Sequence, residues 1–380
     1  MTTVKMLVSH SFVTDPRTYL QAKTLLEHGY DVEVVAWNRE QKCPKREVMD
    51  GVVVTRLGGQ ATYGQGIRQL AGLLRFWWEA VRTLQPAKID IVHSVNLDML
   101  LPALWLTRTK GGRLVYDAAE SYPAMFAVHG NQWMRRLLQV LERVLLKRVD
   151  ATLTVGSLLQ AELQATSGRP VYVVGSWKCL SEYNVAPEVT SRLAGEIRAQ
   201  GCPIIAYIAS LNRDRVIVPL IDAVREEDKA FLIVAGGGDQ QQVVQSQMAG
   251  MRNGIYLGKI PVRDVPAYLS VSDVVYYGLD AHCPNNRFSA PNSLFAGLAA
   301  GKAILTTNVG EIARIVREEN CGIVLDAPSI DLIREAIRQL HDPRLLQKYQ
   351  ENARRAGQTK YNWEKAQRIL LGVYEALSGR

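Results

Sequence analysis

Two arginines stand two residues apart in the stretch YIASLNRDR, residues 207–215, just past an apolar run. Arg213 and Arg215 in that position suit an anion. A guanidinium meets phosphate oxygens with paired N–H donors and keeps its charge at any physiological pH. A solvated turn before a helix is the plain alternative. Farther along, APNSLFAGLAAGKAIL, residues 290–305, reads as a short helix opened by Pro291. Proline suits the first helical turn, where its missing N–H would have had no partner. The N–H groups of Asn292, Ser293 and Leu294, with the positive end of the helix dipole behind them, would form a second anion-binding feature. Asn285 and Asn286 lie just upstream in NNRF and add side-chain amides. The apolar Leu294, Phe295 and Leu298 equally suit a core helix, and both can hold: the side packs while the tip binds.

Neither of the familiar nucleotide loops is present. In LIVAGGGD, residues 232–239, Gly237 belongs to a glycine run after an apolar strand, but position 241 is Gln and the Gly-x-Gly-x-x-Gly spacing fails. GLAAGKA, residues 297–303, has three residues between its glycines where a phosphate loop has four, and Ala303 where the hydroxyl should be. Gly301 reads better as the residue that ends a helix.

The elements that would position these groups alternate. Apolar, β-branched runs at residues 4–9, 31–37, 52–57, 89–93, 113–117, 151–155 and 171–174 read as strands. Helical stretches at 16–28, 66–84, 97–107 and 132–148 lie between them. After a break near 176–196 the pattern restarts, with strands at 203–209, 231–235, 254–257, 273–277, 303–306 and 322–325, and a last helix at 361–377. Such alternation predicts an α/β protein made of two Rossmann-like, doubly wound domains facing a cleft. The expected boundaries are 1–180, joined by a C-terminal helix 361–380 that packs back on it, and 181–360. Ligands of such sheets bind at the carboxyl ends of the strands.

Composition narrows the class. The chain has 380 residues, 47% hydrophobic and 22% charged, which suits two ordinary globular domains. Its start, MTTVKMLVSH, lacks the basic-then-apolar pattern of a signal peptide. Five scattered cysteines form no Cys-x-x-Cys pair, so neither a disulfide framework nor a zinc site is expected, and a reducing cytoplasm fits. The charge is uneven. Residues 1–180 hold 22 Lys+Arg against 15 Asp+Glu, or +7, while residues 181–380 hold 23 against 22, or +1. A basic half implies an anionic partner: a membrane surface, a phosphate-bearing substrate or nucleic acid. No aromatic–basic single-strand platform or recognition-helix motif supports the last.

The ordered set of motifs resembles a family. YIASLNRDRVIVPLIDA, LIVAGGGD, YLGKIPVRDVPAYLSVSDVVYYGLD, PNNRFSAPNSLFAGLAAGKAILTTN and VGEIARIVREENCGIVL are similar, in order, to the donor half of GT-B glycosyltransferases of the retaining family-4 type (glycosyl transferases group 1). DPRTYLQAKTLLEHGYDVEVVAW, IVHSVNLDMLLPAL, LVYDAAESYP, RVDATLTVGSLLQAEL and YNWEKAQRILLGVYEAL resemble the family's opening, middle, late and closing segments. The resemblance implies transfer of a sugar from a UDP- or GDP-linked donor to an acceptor, with no cofactor and no metal. It implies that Arg215 and Arg213 stand on the diphosphate, with Gly237, Pro291 and the amides of Asn292, Ser293 and Leu294. Asn285 and Asn286 would lie near the sugar, and Gly258, Lys259 and Ile260 near the base. On the acceptor side it points to His10, Asp15 and Arg17, with Glu120 and Asp117 as catalytic candidates beside Arg215.

The chain departs from the family's pattern at three places. Ala296 stands where a ribose-holding glutamate is usual, Ser293 where a basic residue is common, and Ala119 where a histidine usually lies beside the reacting sugar. The alternative reading is therefore a catalytically silent binding or scaffold protein on the same fold.

Two helical stretches add a partner. In residues 132–148, Leu137, Leu138, Leu141, Val144 and Leu145 form one stripe, expected to pack on the sheet and leave Arg136, Arg143 and Lys147 outside. Residues 66–82 carry Trp77 and Trp78 with Arg68, Arg75 and Arg82. Basic helices with tryptophan suit a membrane interface. The expected setting is peripheral, on the inner face of the cell membrane, with a lipid-linked or glycan acceptor and a role in glycan assembly.

Overall fold

The computed structural model describes residues 1–13, 15–61, 67–127, 132–184, 202–227 and 229–379, with the side chains of residues 67 and 68 excepted. The expected helix start at Gly66, the side chain of Arg68 and the part of the chain break from 185 to 196 lie outside the described residues.

The chain divides into two compact units, one of Met1–Gly175 with Ala366–Arg380, the other Ser176–Lys365. Residues 176–180 thus belong with the second unit, not the first. The Trp177 ring meets Tyr361 edge-on at 5.8 Å, and the Lys178 carbonyl accepts the Trp363 N–H at 3.0 Å.

The first unit holds β1 (Thr2–Val8), β2 (Tyr30–Trp37), β3 (Arg46–Met49), β4 (Val52–Leu57), β5 (Ile91–Val95), β6 (Arg113–Ala118), β7 (Ala151–Thr154) and β8 (Val171–Val173). Their order in the sheet is β3-β4-β2-β1-β5-β6-β7-β8. Every pairing is parallel except β3 with β4. The β3 strand was not expected. Its hairpin turn is Asp50-Gly51, both residues at positive φ (45° and 87°), the backbone that a two-residue turn matched to strand twist requires. Arg46 and Glu47 break the apolar run that marks the other strands, because β3 is an antiparallel edge and not a doubly covered strand.

The second unit holds β9 (Ile204–Ile208), β10 (Phe231–Ala235), β11 (Gly254–Tyr256), β12 (Val274–Tyr277), β13 (Ala303–Thr307) and β14 (Gly322–Leu325), in the order β11-β10-β9-β12-β13-β14, all parallel. Strands β10, β12 and β13 are buried along their whole length, which is why FLIVA and AILTT show no alternation. Strand order reverses between β1 and β5 in the first sheet and between β9 and β12 in the second. Those are the switch points beside which loops leave room for ligands.

Gly301 ends the helix Asn292–Ala299, as its place in the sequence predicts. Its φ is +63°, and the Lys302 N–H donates back to the Gly297 carbonyl at 2.9 Å. The helix Gln132–Leu146 corrects an expectation. Leu145 is buried, but Leu137 and Val144 are 53% and 43% exposed, so the stripe does not pack as one surface. Its inward face instead carries Glu142, which accepts the Tyr116 hydroxyl at 2.8 Å, with Leu146 beside Leu145.

Candidate functional site

In the first unit, the helix Pro16–Glu27 starts right after β1. Asp15 caps it by accepting the Thr18 N–H at 3.1 Å, and His10 Nε2 stands 3.2 Å from the same carboxylate. One residue into the helix, Arg17 turns into the sheet. Its Nη1 and Nη2 each donate to Asp117 at 2.6 Å, and its Nε donates to the Val174 carbonyl at 2.7 Å. Gln21 Nε2 donates to Asp117 at 3.0 Å, and His93 Nε2 lies 3.3 Å away, with its Nδ1 2.6 Å from the Tyr374 hydroxyl. Burial alone would neutralise the Asp117 carboxyl, but the Arg17 guanidinium and His93 hold it well below the usual carboxylate range. Asp117 is fully buried and Arg17 is 4% exposed.

That geometry changes two expected roles. Asp117 and Arg17 are a closed ion pair that ties β6 to the first helix, with the Asp117 side chain fully buried and Arg17 nearly so. The corrected role for Asp117 is positioning. Its carbonyl accepts the Asn96 N–H at 2.8 Å, and Asn96 Oδ1 accepts the Ala119 N–H at 3.0 Å. The loop that carries Ala119 and the exposed Glu120 is thereby set by the strand end beneath it. His10 is half-buried, with Nδ1 accepting the Phe12 N–H at 3.2 Å.

Sequence reasoning missed Asp98, in the loop after β5. Burial pushes its carboxyl up, against donation from the Ser9 and Tyr122 hydroxyls and nearby Arg39 and His10. Its Oδ1 is buried without a partner. It adds an unfilled acceptor to the loops at the carboxyl ends of this sheet. Within NLDML nothing but its place after a strand could have marked it.

In the second unit, Arg215 follows β9. Its Nη1 donates to Asp214 and, at 3.1 Å, to Asn286 Oδ1, and its guanidinium lies 5.4 Å from the Tyr277 ring centre at the end of β12. The Arg215 side chain is 15% exposed, and its Nε is buried without a partner. Asn286 is 2% exposed and donates to the Asp280 carbonyl at 2.9 Å, so it orients Arg215. Arg213 stands exposed in the turn, with no hydrogen bond or ion pair among the described residues. Asn285, beside Asn286, is half-buried.

The helix tip differs from expectation in one bond. Pro291 is the capping residue, with extended backbone (ψ 144°), and the helix begins at Asn292. Because Pro291 lies outside the first turn, its carbonyl takes the Leu294 N–H at 3.1 Å, and that group is not free. The N–H groups of Asn292 and Ser293 have no partner among the described residues. The Ser293 hydroxyl donates to the Ile208 carbonyl at 2.8 Å and pins the tip to the end of β9. Lys178 was also missed. It is 9% exposed, and its Nζ donates to Asn292 Oδ1 at 2.5 Å, across 114 residues of sequence, a separation no local pattern reports.

The glycine run serves close approach. A Cβ on Gly236 would lie 1.8 Å from the Ala209 carbonyl oxygen, and one on Gly237 would lie 2.3 Å from Lys259 Cε. Lys259 thus crosses directly over Gly237, and the Gly258 carbonyl accepts the Gly236 N–H at 2.8 Å. Lys259 is exposed and Ile260 half-buried. Among the described residues, no group of three or more His, Cys, Asp and Glu is placed to hold a metal ion.

At the carboxyl ends of these parallel strands stand a guanidinium N–H and two helix-tip N–H groups without partners among the described residues, with Lys178 beside them, donor types that suit an anion. The comparisons specify the class. Residues 14–175 match the glycosyl transferase 4-like domain, and residues 196–356 match glycosyl transferases group 1. The chain belongs to the GT-B glycosyltransferases that these two domains compose. An uncharacterized glycosyltransferase of Methanocaldococcus jannaschii is 27% identical over 169 residues, which is 43% of this chain and 42% of that protein. The chain thus spans less than half the length of this curated relative. Two solved structures share the fold. Sucrose-phosphate synthase of Thermosynechococcus elongatus is 17% identical with a TM-score of 0.83, covering 100% of both chains. HepE of Anabaena, in complex with UDP-glucose, is 14% identical with a TM-score of 0.76, also covering 100% of both.

Proposed function

We propose that this protein transfers a glycosyl group from a nucleoside-diphosphate sugar, held by the second unit, to a hydroxyl of a lipid-linked or glycan acceptor at the first, with retention of configuration. The bond from the anomeric carbon to the diphosphate oxygen breaks. A bond to the acceptor oxygen forms on the same face, and the acceptor's proton passes to the departing phosphate. The chief task is to stabilise charge that develops on the leaving diphosphate.

Arg215 carries the reading. It is a nearly buried cation whose Nε has no partner, beside a helix tip with two unpaired N–H groups. Arg213 and Lys259 are exposed cations within the same loops and would screen the phosphates from solvent's side. Gly237 and Gly258 allow the donor close to the backbone, Asn285 lies toward the sugar, and Ile260 toward the base. Glu120 and Asp98 face the acceptor's hydroxyls. UDP-sugars are the first donors to test, since HepE was solved with UDP and with UDP-glucose. GDP-sugars are the second.

A silent nucleotide-binding protein is the competing reading, favoured by Ala296, buried where a ribose-holding glutamate is usual, and by Ala119. Two measurements separate the readings. Thermal shift against UDP, GDP and their sugars reports binding by linkage. Free nucleotide released from a donor panel, with and without EDTA, reports turnover. Binding with turnover that EDTA leaves intact is the expected result. Binding without turnover across donors and lipid-phosphate acceptors would favour the silent protein.

A further inference from the structure

In the first sheet, the steps from β4 to β5, β5 to β6 and β6 to β7 all run one way, and the step from β1 to β2 runs the other way. Right-handed crossovers therefore place the helices Ile67–Leu84, Leu100–Lys110 and Gln132–Leu146 together on one face, opposite Pro16–Glu27. The first two of the three pack against each other, and the third packs on the short helix Tyr122–Ala127.

Each helix turns an apolar stripe outward. On the first it is Leu70, Leu74 and Trp78, at 54%, 49% and 59% exposure. On the second it is Leu101 and Trp105, at 37% and 46%. On the third it is Trp133, Leu137, Val140 and Val144, between 43% and 63%. A core-packing account does not explain three exposed tryptophans in one helical layer, since single exposed apolar residues are ordinary but aligned stripes are not.

Each stripe ends in cations. Arg82 follows Trp78, with its guanidinium 5.2 Å from that ring; Arg108 follows Trp105; and exposed Arg136, Arg143 and Lys147 flank the third stripe. The three helices hold only two carboxylates. Glu79 is engaged by Arg75 at 2.8 Å and by the Gly58 N–H at 2.7 Å, and Glu142 is buried. The outward face therefore combines tryptophan, aliphatic side chains and positive charge with no uncommitted negative charge.

We infer that this helical face docks on an anionic lipid bilayer, with Trp78, Trp105 and Trp133 in the interface and the arginines against lipid phosphates. Two copies of the chain pairing through this face would bring like charges together, which disfavours a dimer. No helix among the described residues is long and apolar enough to cross a membrane, so the contact is interfacial. The inference deepens the proposed function, since a lipid-linked acceptor requires a bilayer within reach, and rests on it only in that respect.

The test is cosedimentation of the full chain with vesicles of phosphatidylglycerol and phosphatidylcholine, or of phosphatidylcholine alone, with tryptophan quenching by brominated acyl chains. The chain should bind the anionic vesicles, bind less as salt rises, and show quenching. W78S/W105S/W133S should abolish the quenching. R136E/R143E should weaken binding at least about thirtyfold, with melting curves like the parent's. Absence of binding to anionic vesicles would overturn the inference. So would equal binding to the neutral ones, undiminished binding by both folded variants, or self-association in sedimentation that the tryptophan variant abolishes. UDP and GDP affinity measured on the parent in the same samples keeps the two proposals apart: absence of both refutes the donor reading and leaves the vesicle result standing.

Discussion

The two units each place an arginine beside a carboxylate at a strand's end, and the two arrangements do opposite things. Around Asp117, the Arg17 fork, Gln21 and His93 fill both carboxylate oxygens, and Arg17 spends its Nε on Val174. Around Arg215, a single Nη1 serves both Asp214 and Asn286, while Nε is left with nothing. The first cluster is closed and holds the fold. The second is incomplete and ready for an anion. Residue type does not separate a structural ion pair from a binding site here; the number of satisfied donors does.

The comparison breaks most visibly at Asp117. Asp117→Asn leaves the Arg17 charge buried and unpaired, so stability should fall by about 3–5 kcal/mol in urea denaturation, with nucleotide affinity per folded molecule unchanged. The same pairing sets an acid limit. The Asp117 carboxyl is held below its unfolded value, so its contribution is present above the ordinary carboxylate range and is lost as pH falls below it. Arg215→Ala should do the reverse. It should lower kcat by about 10²–10³-fold, as loss of a transition-state charge contact does, and leave the denaturation midpoint nearly unchanged.

Glu142 sharpens the contrast from another side, as a buried carboxylate with one hydroxyl donor and no cation among the described residues. Burial pushes it up to about 7, against the Tyr116 hydrogen bond. A raised folded value means stability present in acid and lost as pH rises toward 7. Glu142→Gln should therefore gain on the parent by up to about 3 kcal/mol at pH 8 and show no gain at pH 4. The smallest effect is at the helix tip. Ser293→Ala removes the bond to Ile208 and should cost about 1 kcal/mol of stability, with a modest rise in KM for the donor.

The sheets were legible because doubly covered parallel strands leave continuous apolar runs, as FLIVA and AILTT do. The β3 strand was not, because an edge strand carries polar residues, although Asp50-Gly51 signalled its turn. In the site, the arginine loop and the helix tip could be read from position alone, since strand ends and helix starts are local features. Long-range partners could not. Arg17 and Asp117 both looked available for chemistry until their mutual contact, 100 residues apart, closed them. Lys178 carries no local mark at all, and Asp98 none beyond its place after a strand. Exposure was equally hidden: the periodicity of 132–148 gave a stripe but not which of its residues face outward.

The most direct test of the donor site is calorimetric titration of UDP and GDP into the parent, Arg215→Ala and Asp117→Asn proteins under conditions where all three are folded. The account predicts that at least one nucleotide binds the parent and Asp117→Asn alike, and binds Arg215→Ala at least about tenfold more weakly. Undiminished binding to Arg215→Ala, or binding lost in folded Asp117→Asn but kept in Arg215→Ala, would contradict it.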